Sequence, residues 1–166
     1  MVGPGPFFVL ALALYVPNPA ELGIQLTGVH LHKIDEAPVG VGVRFFLNLT
    51  ENAALDSEFT RYSEKSSALV GVKTGWRGDR FGLFAKARAG LWHFGGSFFE
   101  ARLNRQTIPA GDLGGVIEYY PTPRTAVRID LGDTVLFYGA QSLRGVTGRL
   151  GTVHNFQPGL GFSWRF

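Results

Sequence analysis

The feature that most constrains this chain is a two-residue alternation, repeated in segment after segment, that puts the charges on the same face as the glycines. In "FGLFAKARAGLW", Phe81, Leu83, Ala85, Ala87, Ala89 and Leu91 share one face of an extended backbone, while Lys86 and Arg88 share the other with Gly82, Phe84, Gly90 and Trp92. In "VGVGVRFFLN", Val39, Val41, Val43, Phe45 and Leu47 oppose Gly40, Gly42, Arg44, Phe46 and Asn48. The same sorting sets Leu55 and Phe59 against Asp56 and Glu58, and Val70, Val72 and Trp76 against Lys73. It also sets Leu113, Ile117 and Tyr119 against Glu118, and Val127, Ile129 and Leu131 against Arg128 and Asp130. A soluble barrel of the lipocalin kind turns charge toward water and keeps an apolar, ligand-sized interior. Here the nearly charge-free face is the bulky one, and hydrocarbon outside is the simpler account.

Alternating segments fall near 22–32, 39–49, 54–62, 68–76, 81–92, 113–121, 125–137 and 154–166. On one side they are joined by the short connections "TENA", "RGDR" and "TPR". On the other side the third connection runs from about His93 to Asp112, and the fourth from about Tyr138 to Val153. Short turns at one end and long loops at the other belong to an up-and-down barrel crossing a bilayer, with strands of about nine to eleven residues. The expected fold is all-β: an eight-stranded antiparallel up-and-down transmembrane β-barrel over residues 21–166.

An eight-stranded barrel leaves an interior that side chains fill. The inward set holds Asp56, Glu58, Glu118 and Asp130 with Arg44, Lys73, Lys86, Arg88, Arg128 and Arg165. Charges out of water must pair, so a plugged, salt-bridged lumen is expected. A narrow path for small solutes is the alternative, and a soluble lipocalin-like carrier a more distant one. Asp133, Arg61, His30 and His32 fall on the outward parity, and are expected above the apolar band or beside a bulge that shifts the register. Aromatic residues sort toward the two strand ends as interfacial girdles, Phe81, Tyr119, Trp164 and Phe166 at the periplasmic end and Trp92, Phe94, Phe137 and Phe156 at the outer end.

The 166 residues make one domain by length, and the absence of cysteine excludes disulfides and thiolate metal sites. The net charge is +3, but no run of Lys and Arg gathers, which argues against nucleic acid binding. "FFVLALALYV", Phe7 to Val16, has the length of a signal-peptide hydrophobic core and is too short to span a bilayer as a helix. Residues 1–20 are therefore read as a signal peptide, with Ala20 as candidate cleavage residue, in preference to a buried strand or short helix. They hold no Lys or Arg, so the signal is atypical or its true start lies upstream.

The chain ends "HNFQPGLGFSWRF", with Phe156, Pro158, Leu160, Phe162, Trp164 and Phe166 on one face. Its last residues, "GFSWRF", resemble the C-terminal targeting signal of bacterial outer membrane barrels, with Gly161, Trp164 and Phe166 at the matching positions. Gly159 departs from the polar residue commonest at its place. The resemblance implies recognition by the barrel assembly machinery. Residues 21–166, through "VGVRFFLNLTENAALDSEF", "FGLFAKARAGL" and "LGGVIEYYPTPRTAVRIDLGD", resemble the small outer membrane β-barrel family that includes the membrane domain of outer membrane protein A. This implies a monomer in the bacterial outer membrane, among lipid and lipopolysaccharide, without the peptidoglycan-binding domain of longer relatives.

Lipid A deacylases share this length and a terminal Phe, but use a His and a Ser two residues apart with a carboxylate. Here Ser97 lies four residues after His93, and His154 precedes "NFQ", so no enzyme is expected. His30 and His32 with Asp35 or Glu36 read as interface residues and not as a metal site. "GVGVR" and "GLGFSW" lack the following helix and Lys of a phosphate cradle, so no cofactor is expected. The long loops carry Glu100, Arg102, Arg105, Arg144 and Arg149, a mildly basic collar that could meet lipopolysaccharide or a partner, solvated loop charge being the plainer reading.

Overall fold

The computed structural model describes residues 18–31, 37–95, 106–138 and 151–166. Eight strands run in order: β1 (Ala20–Gly28), β2 (Val39–Asn48), β3 (Ala53–Tyr62), β4 (Lys65–Arg77), β5 (Phe81–Phe94), β6 (Gln106–Thr122), β7 (Thr125–Phe137) and β8 (Thr152–Arg165). Each pairs antiparallel with the next, and β8 returns to β1 from Glu21 opposite Arg165 to Thr27 opposite Gly159, closing the barrel. Closure leaves no free sheet edge, the condition for a sheet in hydrocarbon. The seam ends on two main-chain hydrogen bonds, from Ala20 N–H to the Phe166 carbonyl at 3.1 Å and from Phe166 N–H to the Ala20 carbonyl at 2.9 Å.

The alternation determines which way each side chain points. Ile24 and Leu83 are 64% and 61% exposed on the outer wall, beside Val41, Val70, Leu113, Ile129 and Leu160. Leu83, Ala87 and Leu91 all face out, as expected for a wall against lipid. The inward glycines let strands and long side chains approach closely. A Cβ on Gly71 would lie 2.0 Å from the Ala87 carbonyl oxygen, and one on Gly132 would lie 2.6 Å from the Asp112 carboxylate.

Several boundaries and placements differ from the sequence reading. β1 ends at Gly28, so His30 lies just beyond it, and β4 begins at Lys65 instead of residue 68. β6 begins at Gln106, so residues 106–112 of the expected loop from His93 to Asp112 are strand, as are His93 and Phe94 at its other end. Within it Pro109 sits where β6 pairs only with β5, opposite Leu91, and its missing N–H costs no bond to β7. Trp92 is corrected from the outer girdle to the lumen: its even position shares the face of Lys86 and Arg88, and it is fully buried. Phe94 packs beside it. The other named girdle residues face outward: Phe81, Tyr119, Trp164 and Phe166 at the periplasmic end, and Phe137 and Phe156 at the other. Asp133 and Arg61 stay on the outward parity without a bulge; among the described residues the ladder shifts register between Tyr119 and Thr122. Residues 1–17 fall outside the described residues, and the barrel begins at Ala20, one position before expected.

Candidate functional site: the filled lumen

The inward charges gather in two clusters along the lumen, with an apolar cluster at its outer end. Nearest the periplasmic turns, Glu118 on β6 accepts from Lys73 Nζ at 2.5 Å and from Arg128 Nε at 2.8 Å, while the Tyr120 hydroxyl donates to its other oxygen at 2.6 Å. Arg128 also donates to Glu21 at 2.6 Å, and Arg165 Nε lies 3.2 Å from Glu21. Arg77 completes this group.

Above it lies a second cluster. Arg44 grips Asp56 with two nitrogens, at 2.9 and 2.6 Å, and reaches across to Asp130 at 2.8 Å. Lys86 bridges Asp112 at 3.1 Å and Asp130 at 3.2 Å. Arg88 donates to Asp112 at 2.8 Å and pairs closely with Glu58. The Phe46 ring separates the clusters and is shared by three cations, with Arg128 4.0 Å, Lys73 4.4 Å and Arg44 4.9 Å from its centroid. All these charged side chains except the partly exposed Arg77 are buried, so each depends on its partners for the solvation it has lost.

The outer end of the lumen is largely apolar, with Ser66, Ser67 and His93 buried beside it. Val29, Leu31, Tyr62, Leu69, Trp92, Ile108, Ala110 and Leu136 form one buried cluster, against which Phe94 and Tyr138 pack. The Tyr62 and Trp92 rings stack with centroids 4.9 Å apart. These residues come from β3 to β7 and from Val29 and Leu31 just beyond β1, so the layer reaches across the barrel.

All ten lumen residues named from the sequence, Arg44, Asp56, Glu58, Lys73, Lys86, Arg88, Glu118, Arg128, Asp130 and Arg165, lie in the two clusters. The sequence reading missed Glu21, Asp112 and Arg77, each lying one residue outside a strand boundary drawn too short. Carrying the alternation one residue further would have found all three. Gly161 faces the lumen, while Trp164 and Phe166 lie on the outer wall at the seam. His32, Asp35, Glu36, Ser97, Glu100, Arg102, Arg105, Arg144 and Arg149 lie outside the described residues.

Outside the lumen, His154 Nδ1 meets the Asp133 carboxylate at 2.5 Å on the exposed wall. His93 has both ring nitrogens engaged, at 2.8 Å with Thr107 and 3.0 Å with the Gly95 carbonyl. Among the described residues, no group of three or more His, Cys, Asp or Glu side chains is placed to hold a metal.

An apolar outer wall, a closed eight-strand ladder and a lumen filled by ion pairs define the fold of a small transmembrane β-barrel. Solved structures carry the same fold. The N-terminal β-barrel domain of Pseudomonas aeruginosa OprF is 16% identical, with 88% of this chain and 97% of that one covered and a TM-score of 0.57. Neisserial surface protein A is 14% identical, with 89% and 96% covered and a TM-score of 0.55. A de novo designed transmembrane β-barrel is 12% identical, with 91% and 98% covered and a TM-score of 0.51. No protein-family model and no curated protein matches the chain.

Proposed function

We propose that this chain is a non-conducting outer membrane barrel whose lumen serves stability and whose outer-end loops meet lipopolysaccharide or a partner surface. The observation that carries this reading is the apolar layer around Trp92 and Tyr62 lying above two ion-paired clusters. An ion crossing it would have to shed most of its water against rings and aliphatic side chains, with only a few uncharged groups, such as the Tyr62 hydroxyl and Ser67, in reach. The basic collar of Arg102, Arg105, Arg144 and Arg149 would face the anionic outer leaflet.

Planar bilayers containing the purified barrel are expected to stay silent under applied voltage. The double substitution Trp92→Ala and Tyr62→Ala, which removes the stacked pair, is expected to introduce channel steps. Steady conductance from the unaltered protein would overturn the reading in favour of a narrow pore.

Assembly would proceed through the barrel assembly machinery, read from the strand that closes the seam. Phe166→Ala is expected to reduce the folded, heat-modifiable form in outer membrane fractions several-fold. An unchanged amount would remove Phe166 from the assembly signal.

A further inference from the structure

The two charged clusters are unbalanced in opposite senses. In the upper one, Arg44, Lys86 and Arg88 face four carboxylates, Asp56, Glu58, Asp112 and Asp130. In the periplasmic one, Lys73, Arg77, Arg128 and Arg165 face only Glu21 and Glu118. Phe46 stands between them, so the excess carboxylate above is not in contact with the excess cation below.

Arg77 is the cation left over. Both carboxylates of its cluster are held at shorter range by Lys73, Arg128 and Arg165. Arg77 lies 3.4 Å from Asn48, 3.5 Å from Glu21 and 3.9 Å from Glu118, and also meets the Tyr120 hydroxyl. Its Nε is buried and donates to nothing. Its guanidinium rests 5.5 Å from the Phe84 ring centroid and 5.8 Å from that of Tyr120, and Arg165 lies 4.9 Å from the same Tyr120 ring. Two guanidinium groups therefore flank one aromatic ring at the mouth.

The exposed turns at this end add no net charge. Residues 1–20 contain no charged side chain, and the periplasmic turns carry Glu51, Asp79, Arg80 and Arg124, equal in number for each sign and all exposed.

We infer that the periplasmic mouth of the lumen is an oxyanion-binding site in which Arg77 and Arg165 take a phosphate or carboxylate group. A planar guanidinium offers paired N–H donors to two oxygens of such a group, and the low dielectric of the mouth strengthens the contact. The ligand neutralises the surplus charge and satisfies the idle Nε of Arg77.

The test uses the full barrel in nonionic micelles, which carry no competing phosphate. Inorganic phosphate is titrated and its ³¹P line width followed, with acetate as competitor. Saturable broadening is expected, with affinity about tenfold weaker in Arg77→Gln and in Arg165→Gln and unchanged in Arg80→Gln and Arg124→Gln. Displacement by acetate identifies a site that accepts any oxyanion, and resistance to acetate one that selects phosphate. Heat-modifiable mobility confirms that each variant is folded, and Arg165→Gln serves alone if Arg77→Gln is not. The inference is overturned if no saturable broadening appears up to about 0.15 M phosphate. It is equally overturned if binding survives in the folded mouth variants, or if it is lost with Arg80 or Arg124.

Discussion

Glu118→Ala is expected to lower the unfolding free energy by about 3–5 kcal/mol, because removing one partner of a buried ion pair strands the others. Lys73 and Arg128 would lose contacts of 2.5 and 2.8 Å, and the Tyr120 hydroxyl its acceptor. None of these groups can turn to water, since Lys73 and Arg128 are at most 1% exposed. Adding Lys73→Met is expected to restore part of the loss by removing one stranded cation and keeping its volume. Urea unfolding in phospholipid vesicles, followed by tryptophan fluorescence, measures both. A loss for Glu118→Ala no larger than that for Leu113→Ala on the outer wall would show that the network contributes little to stability.

Val72→Arg is expected to cost about 2–4 kcal/mol in the same vesicles, the cost of a cation on the lipid face near the middle of a barrel wall. Val72 points outward between Leu55 on β3 and Ala87 on β5, with no carboxylate opposite it in either register. On a water-facing sheet the same substitution would change stability by no more than about 0.5 kcal/mol. The measurement thus asks what bathes the outer wall. A change within that smaller range would mean that Val72 is not in contact with hydrocarbon.

The eight strands and their inside and outside were legible because both signals are local. Side-chain direction reverses at every residue, so Lys86 and Leu83 could be assigned to faces without knowing any neighbour. The misassignments lay near strand ends. The connection expected from about His93 to Asp112 overlaps the start of β6, and Asp112 falls within it. Trp92 was grouped with the girdle by residue type, although its parity had already placed it beside Lys86 and Arg88.

The basic collar is a different matter, because loop residues carry no alternation from which to place them.

The linear pattern of residues was enough to decide that this chain forms a closed wall with its ions within, since a period of two and the sign of its apolar face need no long-range information. Which ions meet was decided only by closure of the barrel. Arg44 and Asp130 are 86 residues apart, and Arg128 and Glu21 are 107 apart. Their contact depends on the stagger accumulated around all eight strands. The same closure gathers the apolar residues into one layer at the outer end and leaves Arg77 without a close carboxylate at the other.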